Sequence, residues 1–235
     1  MEEFDIHIDF DFGDNTPNVL TEPDPETEWK IDRLGNITGS TFGKLIKTDR
    51  KGGFKLSDGL TAEGLIYKIA WERLLKNGNI SNGLGRLNFS SQATNHGNDY
   101  EGEAILKYIE QTKAEVIYEQ QFIKLDEWIG GTPDGFIGKD GLIEVKAPFN
   151  GGNHLKTLLT GEIYNKEHFY QIQGYLWITG RKWCDYVTYD PDLIDALQIS
   201  INRVERDEEV ISAIAEIMEE VKTKIQAIID TIESK

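Results

Sequence analysis

The stretch GGTPDGFIGKDGLIEVK, residues 130–146, limits the fold more than any other part of this 235-residue chain. Two short apolar runs flank a Gly-Lys-Asp-Gly turn, and this pattern predicts a β-hairpin. In the second run Ile143 and Val145 point to one face, while Glu144 and Lys146 point to the other, because side chains alternate along a strand. We therefore expect a sheet with one strand that carries a carboxylate and an amine side by side.

The rest of the chain alternates predicted helices with predicted strands. Apolar residues at helical spacing predict helices at 38–47, 60–76, 97–112 and 166–178. Runs rich in β-branched and aromatic residues predict strands at 115–125 and 184–189, and a Gly/Asn loop is expected after Pro148. The pattern is that of an α/β protein.

Near the C-terminus, apolar residues recur at alternating spacings of three and four: Ile211, Ile214, Met218, Val221, Ile225, Ile228 and Ile232. This seam predicts a long amphipathic helix. We expect the helix to pack on its own domain, and a contact between subunits is the alternative.

The net charge of -16 is unevenly distributed along the chain. Residues 1–28 hold ten Asp/Glu and no Lys/Arg, whereas residues 29–202 carry 22 acidic and 20 basic residues. We therefore predict an acidic extension at 1–28 and a single domain at 29–235. A locally basic groove on that domain remains compatible with the overall charge, since local potential governs binding.

Composition also narrows the class of protein. The single cysteine, Cys184, excludes an internal disulfide and a cysteine-based metal site. The sequence has no run of eighteen apolar residues and no signal-peptide pattern, so we expect a cytoplasmic protein without a membrane span.

The hairpin has a second carboxylate close at hand. Pro133 and Gly135 are expected to place Asp134 at the end of the preceding strand, where a hairpin can bring its carboxylate beside Glu144. Two carboxylates repel each other unless a cation lies between them, and all-oxygen ligands suit Mg²⁺ or Mn²⁺. A neighbouring Lys146 can hold or help deprotonate a water, so the set predicts metal-dependent hydrolysis of a phosphodiester. The alternative is an ordinary hairpin with a solvated Glu and Lys.

The spacing of Pro133-Asp134 and Glu144-Val145-Lys146 matches the PD-(D/E)xK nuclease signature. Around it stand further motifs: Trp29, RLGNITGS at 33–40, residues 97–104, QIQGY at 171–175 and YDP at 189–191. With these, the chain resembles the phage lambda-type exonuclease family, also called YqaJ-like viral recombinases, over nearly all of residues 29–235. The resemblance implies a restriction-endonuclease-like core, with a central mixed sheet flanked by helices and a long C-terminal amphipathic helix.

The resemblance also implies a set of metal-binding and catalytic residues. The metal, Mg²⁺ with Mn²⁺ as a possible substitute, would be held by Glu101, Asp134, Glu144 and Val145. Glu101 stands on the apolar stripe of its predicted helix, where an unpaired carboxylate is costly, and a buried salt bridge is the alternative. Lys146 would assist the attacking water.

A second face of the predicted helix 166–178 carries Gln171 and Tyr175, which are four residues apart and therefore adjacent. By resemblance Gln171 orients the DNA strand or the lysine, and Tyr175 lies beside it. A surface Gln near a core Tyr is the alternative.

The resemblance further implies that Arg33, Ser40 and Arg50 bind the 5′-phosphate of DNA, with the Thr132 hydroxyl in the place of a phosphate-binding Ser. An Arg fork suits phosphate, and a hydroxyl near a helix start can add to it. A surface ion pair for Arg33 and an N-cap role for Ser40 are the alternatives. Thr94 stands where the family places an apolar wedge, and His96 replaces an aromatic residue.

The family resemblance implies a 5′→3′ double-strand DNA exonuclease that releases mononucleotides and leaves a 3′ overhang. It also implies a ring-shaped homotrimer around the duplex and a single-strand annealing protein as partner, in a bacterial or phage-infected cell. Two other functions remain open: an endonuclease with the same metal site, and a catalytically silent acidic protein that imitates DNA.

Overall fold

The computed structural model describes residues 25–75, 92–119 and 121–235, apart from the side chains of residues 25–27, 92–95 and 98. The strands are β1 (Ile37–Thr38), β2 (Ile46–Thr48), β3 (Phe54–Leu56), β4 (Val116–Ile117), β5 (Ile123–Lys124), β6 (Ile129–Gly131), β7 (Gly135–Ile137), β8 (Gly141–Lys146), β9 (Trp183–Tyr189) and β10 (Ile199–Glu205). The helices are α1 (Pro25–Arg33), α2 (Gly39–Leu45), α3 (Leu60–Leu74), α4 (Gln92–Thr112), α5 (Gly151–Thr160), α6 (Lys166–Thr179) and α7 (Glu208–Glu233), with a short 3₁₀ turn at Asp195–Leu197.

The largest sheet has five strands in the order β10-β9-β8-β7-β4. β8 and β9 run parallel, whereas the other neighbours are antiparallel, so the sheet is mixed. The predicted hairpin is confirmed, since β7 pairs with β8 and places Gly135 opposite Ile143. Smaller sheets, β1-β6-β5 and β2-β3, accompany it.

Helices cover both faces of the five-stranded sheet. On one face α4 packs its Ala104, Ile105 and Tyr108 against Ile143 and Val145 of β8. On the other face the larger core joins Leu142, Cys184 and Tyr186 of the sheet to α2, α3, α6 and α7. The predicted α/β architecture, a mixed sheet flanked by helices, is therefore confirmed.

Polar caps define where several helices begin and end. The Asn165 side chain accepts the Glu167 N–H at the start of α6, and Asp207 accepts the N–H groups of Glu209 and Val210 at the start of α7. Gly180 ends α6 with φ of 68°, a left-handed conformation that glycine adopts without steric cost.

The long C-terminal helix is confirmed, and it packs on its own chain. Met218, Val221 and Ile225 are fully buried against the larger core. The buried stripe drifts from the predicted seam: Ile217 and Ile229 join it while Ile232 is 49% exposed. An α-helix repeats every 3.6 residues and not every 3.5, so a straight helix rotates a heptad seam away from the core.

Two local predictions are wrong. The single strand predicted at 115–125 is two short strands, β4 and β5, which belong to different sheets. The loop predicted after Pro148 contains α5, whose N-cap Asn150 accepts the Gly152 N–H. Tandem glycines lower helix propensity, but a capped first turn offsets that cost.

Among the described helices, none is both long and apolar enough to cross a membrane. Helix α1 begins at Pro25, so the last residues of the predicted extension 1–28 are helical, and residues 1–24 lie outside the described part.

Candidate active site

The site is built where the hairpin partner of β8 ends. Pairing between β7 and β8 stops at Gly135. The preceding residue, Asp134, takes the place of a main-chain acceptor, because its Oδ2 accepts the Val145 N–H at 2.7 Å. Because N–H and C=O of one residue in a strand point the same way, the Val145 carbonyl also faces this open edge. The sequence prediction that the hairpin carries Asp134 to the strand of Glu144 agrees with this geometry.

Glu144 and Lys146 project together from β8, as their spacing predicts. Lys146 Nζ donates to Glu144 Oε1 at 2.5 Å, and Glu144 is fully buried. Its other oxygen, Oε2, is buried without a hydrogen-bond partner in the described part of the chain. An orphaned carboxylate oxygen is costly, so this atom is suited to accept a further ligand.

The charges of this cluster shift one another's pKa values. Burial and then repulsion from Asp134 raise the pKa of Glu144 to about 8. Burial also raises the pKa of Asp134, which is partly open to the cleft. For Lys146, burial lowers the pKa, but attraction to Glu144 and Asp134 outweighs it and the net pKa is raised, so the amine stays charged.

Glu101 reaches the same cluster from α4, on the opposite face of the sheet from Glu144. It accepts a hydrogen bond from the Tyr118 hydroxyl at 3.2 Å. Burial, followed by repulsion from Asp134, raises the pKa of Glu101 to about 7. Tyr118 could not be predicted from the sequence pattern, because only the pairing of β4 with β7 brings it near Glu101.

The donor set of this cluster fits a divalent metal ion. Three carboxylates repel one another across the edge of β8, one oxygen lacks a partner, and the Val145 carbonyl faces the same edge. Hard oxygen ligands of this kind suit Mg²⁺ or Mn²⁺. Nevertheless, within the described ranges no three His, Cys, Asp or Glu side chains already stand in an arrangement that holds an ion.

Tyr175 of α6 lies between the acidic cluster and the predicted phosphate-binding residues. Gln171 donates to its hydroxyl at 3.1 Å, which brings the predicted pair together. A Cβ at Gly39 would overlap the Tyr175 ring, and one at Gly131 would lie 2.6 Å from it. Burial, and then the negative charges of Glu144 and Asp134, raise the Tyr175 pKa. Gln173 of the same helix is buried, donates to the Glu205 carbonyl and accepts the Asp207 N–H.

Arg33 lies within electrostatic range of this tyrosine. Its guanidinium stacks 4.2 Å from the centre of the Trp29 ring, and burial lowers its pKa against the opposing effects of Tyr175 and Glu72. The Trp29 indole in turn donates to the Thr132 hydroxyl at 3.0 Å. Arg33 and Thr132 are therefore linked through one side chain.

The turn that follows Arg33 is clamped from α3. Glu72 accepts the Gly35 N–H at 3.0 Å, and Arg73 donates to the Gly35 carbonyl at 2.7 Å. Gly35 has φ of 70°, which few other residues adopt without strain. Ser40, exposed in the first turn of α2, is 3.1 Å from the buried Thr38 hydroxyl, and Thr38 rather than Ser40 is the N-cap residue.

Arg50 is not joined to this group in the described part of the chain. Arg50 is exposed in the loop between β2 and β3, and among the described residues no hydrogen bond or ion pair connects it to Arg33, Ser40 or Thr132. Thr94 lies in α4, but its side chain is outside the described part, so the predicted wedge position stays a prediction.

A cleft of about 510 Å³ opens over the cluster. It is lined by Gly97, Glu101, Asp134, Val145, Lys146, Ala147, Pro148, Phe149, Asn150, Asn153 and Tyr164. The residues from Ala147 onward, with Tyr164, were missed from the sequence. The first turn of α5 brings these residues over the acidic cluster. The one sequence signal for this helix was Asn150, a residue type that commonly caps helices.

The predicted site residues lie within a known family domain. A model of the YqaJ-like viral recombinase domain matches residues 28–182, which include every predicted site residue. The chain belongs to the YqaJ-like viral recombinase family. The resemblance to lambda-type exonucleases is thereby confirmed, and the general activity of this family is that of a DNA exonuclease.

Solved structures of exonucleases share the fold. LHK-Exo in complex with dAMP matches at 28% identity and a TM-score of 0.75, over 88% of this chain and 96% of that one. The alkaline exonuclease LHK-Exo from Laribacter hongkongensis matches at 26% identity and a TM-score of 0.69, over 88% and 98%. A phage-related exonuclease from Haemophilus somnus 129PT shares the fold at 19% identity and a TM-score of 0.65, over 84% and 96%. No curated protein matches the chain.

Proposed function

We propose that this YqaJ-like recombinase is a metal-dependent 5′→3′ double-strand DNA exonuclease. It would start from 5′-phosphorylated ends, release mononucleotides and leave 3′ single-stranded overhangs. The observation that carries the proposal is the position of Tyr175, whose ring touches Gly39 beside Ser40 and whose hydroxyl lies in the field of Glu144 and Asp134. One side chain thus spans the distance between a phosphate-binding group and a hydrolytic group.

The residues that would hold Mg²⁺, or Mn²⁺ in its place, are Glu101, Asp134, Glu144 and the Val145 main chain. When bound, the metal would lower the pKa of a water and polarise the phosphodiester. The carboxylates also gain, because a cation relieves the repulsion that raises the pKa values of Glu101 and Glu144.

The remaining roles belong to the cationic and amide side chains. Lys146, kept charged by its neighbours, would hold the attacking water and balance the charge that develops on the phosphate. Gln171 would orient the DNA strand or Lys146 from its bond to Tyr175. Arg33, Ser40 and Thr132 would bind the terminal phosphate, and Arg50 would join them if its loop closes onto the DNA.

The relative LHK-Exo, seen in complex with dAMP, supports a mononucleotide product. For an exonuclease that leaves 3′ overhangs, a single-strand annealing protein is the fitting partner, in the cytoplasm of a bacterial or phage-infected cell. A homotrimeric ring around the duplex would reconcile the net charge of -16 with DNA binding, because an acidic outside can coexist with a basic channel.

The test is digestion of matched DNA substrates with Mg²⁺: a linear duplex with 5′-phosphate, the same duplex with 5′-hydroxyl, and a closed circle. We expect mononucleotides from the first, slower release from the second and none from the third. Cleavage of the circle would indicate an endonuclease instead, and no release from any duplex would favour the DNA-imitating alternative.

The Lys146→Ala variant tests the chemistry itself. Cleavage should fall by at least about a hundredfold while DNA binding is retained, because general acid–base and electrostatic contributions of one group are of that order. The matched control is Lys139→Ala, since Lys139 is exposed in the turn of the same hairpin. If both variants cleaved like the parent, the assigned role of Lys146 would be wrong.

A further inference from the structure

The cleft contains an aromatic ring for which the proposed hydrolysis has no use. Phe149 is 65% exposed, yet it lines the same cleft as Glu101, Asp134 and Lys146. A single exposed apolar side chain is common on protein surfaces and needs no explanation there. Inside this cleft it is different, because the exposed ring shares the lining with Glu101, Asp134 and Lys146, to which the proposed hydrolysis assigns roles.

The Phe149 ring is held in place on two sides. Along the chain it stands between Pro148 and Asn150, the N-cap residue of α5, whose side-chain Oδ1 accepts the Gly152 N–H at 3.0 Å. Across the cleft His96 of α4 meets it edge to face, with ring centres 5.6 Å apart and an interplanar angle of 88°. The contact with His96 and the cap of α5 therefore favour this position of the ring in the absence of a ligand.

His96 is itself supported by a second ring of α4. Its centre lies 4.8 Å from that of Tyr100, at an interplanar angle of 63°. Offset and edge-to-face contacts of this kind are the favourable arrangements of aromatic pairs. We call the three rings of His96, Tyr100 and Phe149 the aromatic shelf.

A flat apolar ligand that accompanies a phosphodiester is a nucleobase. Aromatic side chains in nucleic-acid grooves stack on bases, and this stacking tolerates any sequence because every base has a π-face. Building on the proposed function, we propose that Phe149 stacks on a nucleobase next to the phosphate being cut, while His96 and Tyr100 hold the ring in position. The shelf would then bind each newly exposed nucleotide irrespective of its identity.

The first experiment compares substitutions of Phe149 on a 5′-phosphorylated linear duplex. Phe149→Ala should raise KM between roughly fivefold and a hundredfold, in keeping with alanine substitution of stacking residues. Phe149→Trp should keep the parent KM, whereas Phe149→Leu, which retains apolar volume without a π-face, should behave like the alanine variant. Because Leu and Trp both fill the site, their difference reports stacking even if the alanine variant folds poorly.

The matched control for loss of an exposed apolar side chain is Leu159→Ala. Leu159 is 87% exposed on α5 and does not line the cleft. Its KM should equal that of the parent.

The second experiment removes the base instead of the ring. One duplex carries an abasic site at the first nucleotide of the cut strand, and another carries it at the second. On one of these two duplexes the parent and Phe149→Leu should have the same KM, because the base that Phe149 would stack on is missing. That position identifies the stacked nucleotide. If the leucine variant equals the parent on intact DNA, or if its defect persists on both abasic duplexes, the shelf does not bind a base.

A binding measurement separates this inference from the proposed exonuclease. The parent should bind 2-aminopurine deoxyribonucleoside 5′-monophosphate more tightly than deoxyribose 5-phosphate, and Phe149→Leu should lose that preference. If the parent cleaves no DNA but prefers the nucleotide, and Phe149→Leu loses that preference, the shelf is supported and the exonuclease is refuted. A parent that cleaves DNA but shows no preference for the base would refute the shelf alone.

Discussion

At the scale of single residues, the acidic cluster holds more negative charge than its surroundings compensate. The positive charge of Lys146 offsets the charge of Glu144. Asp134 and Glu101, however, repel Glu144 and also repel each other. Buried charge of this kind costs stability and is retained where it serves a function. The charge of the site should therefore be visible in the stability of the metal-free protein.

The free energy of unfolding of the metal-free protein should decrease as pH rises from about 4.5 to about 8. The folded-state pKa of Glu144, about 8, is above its ordinary value of 4.5, so in this window the folded protein binds the proton more tightly than the unfolded chain does. Glu144→Gln removes the ionisation and should raise Tm at pH 8 more than at pH 5. Thermal melts in a chelator measure both.

The matched control is Glu162→Gln, because Glu162 is exposed. Addition of Mg²⁺ should narrow the gap between the parent and Glu144→Gln, since the bound cation offsets the repulsion. Parallel melting curves for these two proteins across the pH range would contradict the assigned pKa shift.

The roles of the two candidate phosphate-binding arginines should differ. Arg33 is stacked on Trp29 and lies near Tyr175, whereas Arg50 is exposed on a separate loop. Arg33→Ala should reduce the preference for 5′-phosphate over 5′-hydroxyl ends by roughly ten- to a hundredfold, the effect of a charged hydrogen bond. Arg50→Ala should have the smaller effect, and the reverse order in digestion rates would overturn the assignment of Arg33.

At the scale of elements, close packing of α2 against α6 places Tyr175. Gly39→Ala should displace the ring and lower the cleavage rate, although Gly39 contacts no carboxylate. Gly64→Ala is the control: nothing lies within 4 Å of a Cβ there, and alanine in the interior of α3 should stabilise the protein by about 0.5–1 kcal/mol. Equal cleavage rates for the two variants would show that cleavage does not depend on the position of the Tyr175 ring.

At this scale the sequence predicted most helices and the hairpin, because their hydrophobic periods are local. It missed α5 and merged β4 with β5. Short strands are fixed by their partners: β4 pairs with β7 while β5 pairs with β6, and no local pattern separates them. The predicted pair Gln171 and Tyr175 needed only helical spacing, whereas Tyr118 and Tyr164 reached the site through tertiary contacts.

At the scale of the whole molecule, α7 closes the larger core. Met218→Ala should cost about 2–5 kcal/mol, because the residue is fully buried and truncation leaves a cavity. Ile232→Ala, at the half-exposed end of the same helix, should change stability by only about 0.5 kcal/mol. Urea unfolding measures the free energy of unfolding of both variants. Equal losses of stability would contradict the burial of Met218 in the larger core.

The sequence by itself determined the family of this protein and most of the elements that carry the candidate site. Side-chain alternation fixed that Glu144 and Lys146 share a face, and a turn fixed the hairpin, because both depend only on neighbouring residues. The tertiary structure alone decided that Glu101 approaches the cluster from the far side of the sheet and that the Tyr175 ring touches Gly39. It also placed Phe149 in the cleft and left Arg50 apart, since contacts between distant segments follow from packing and not from local spacing.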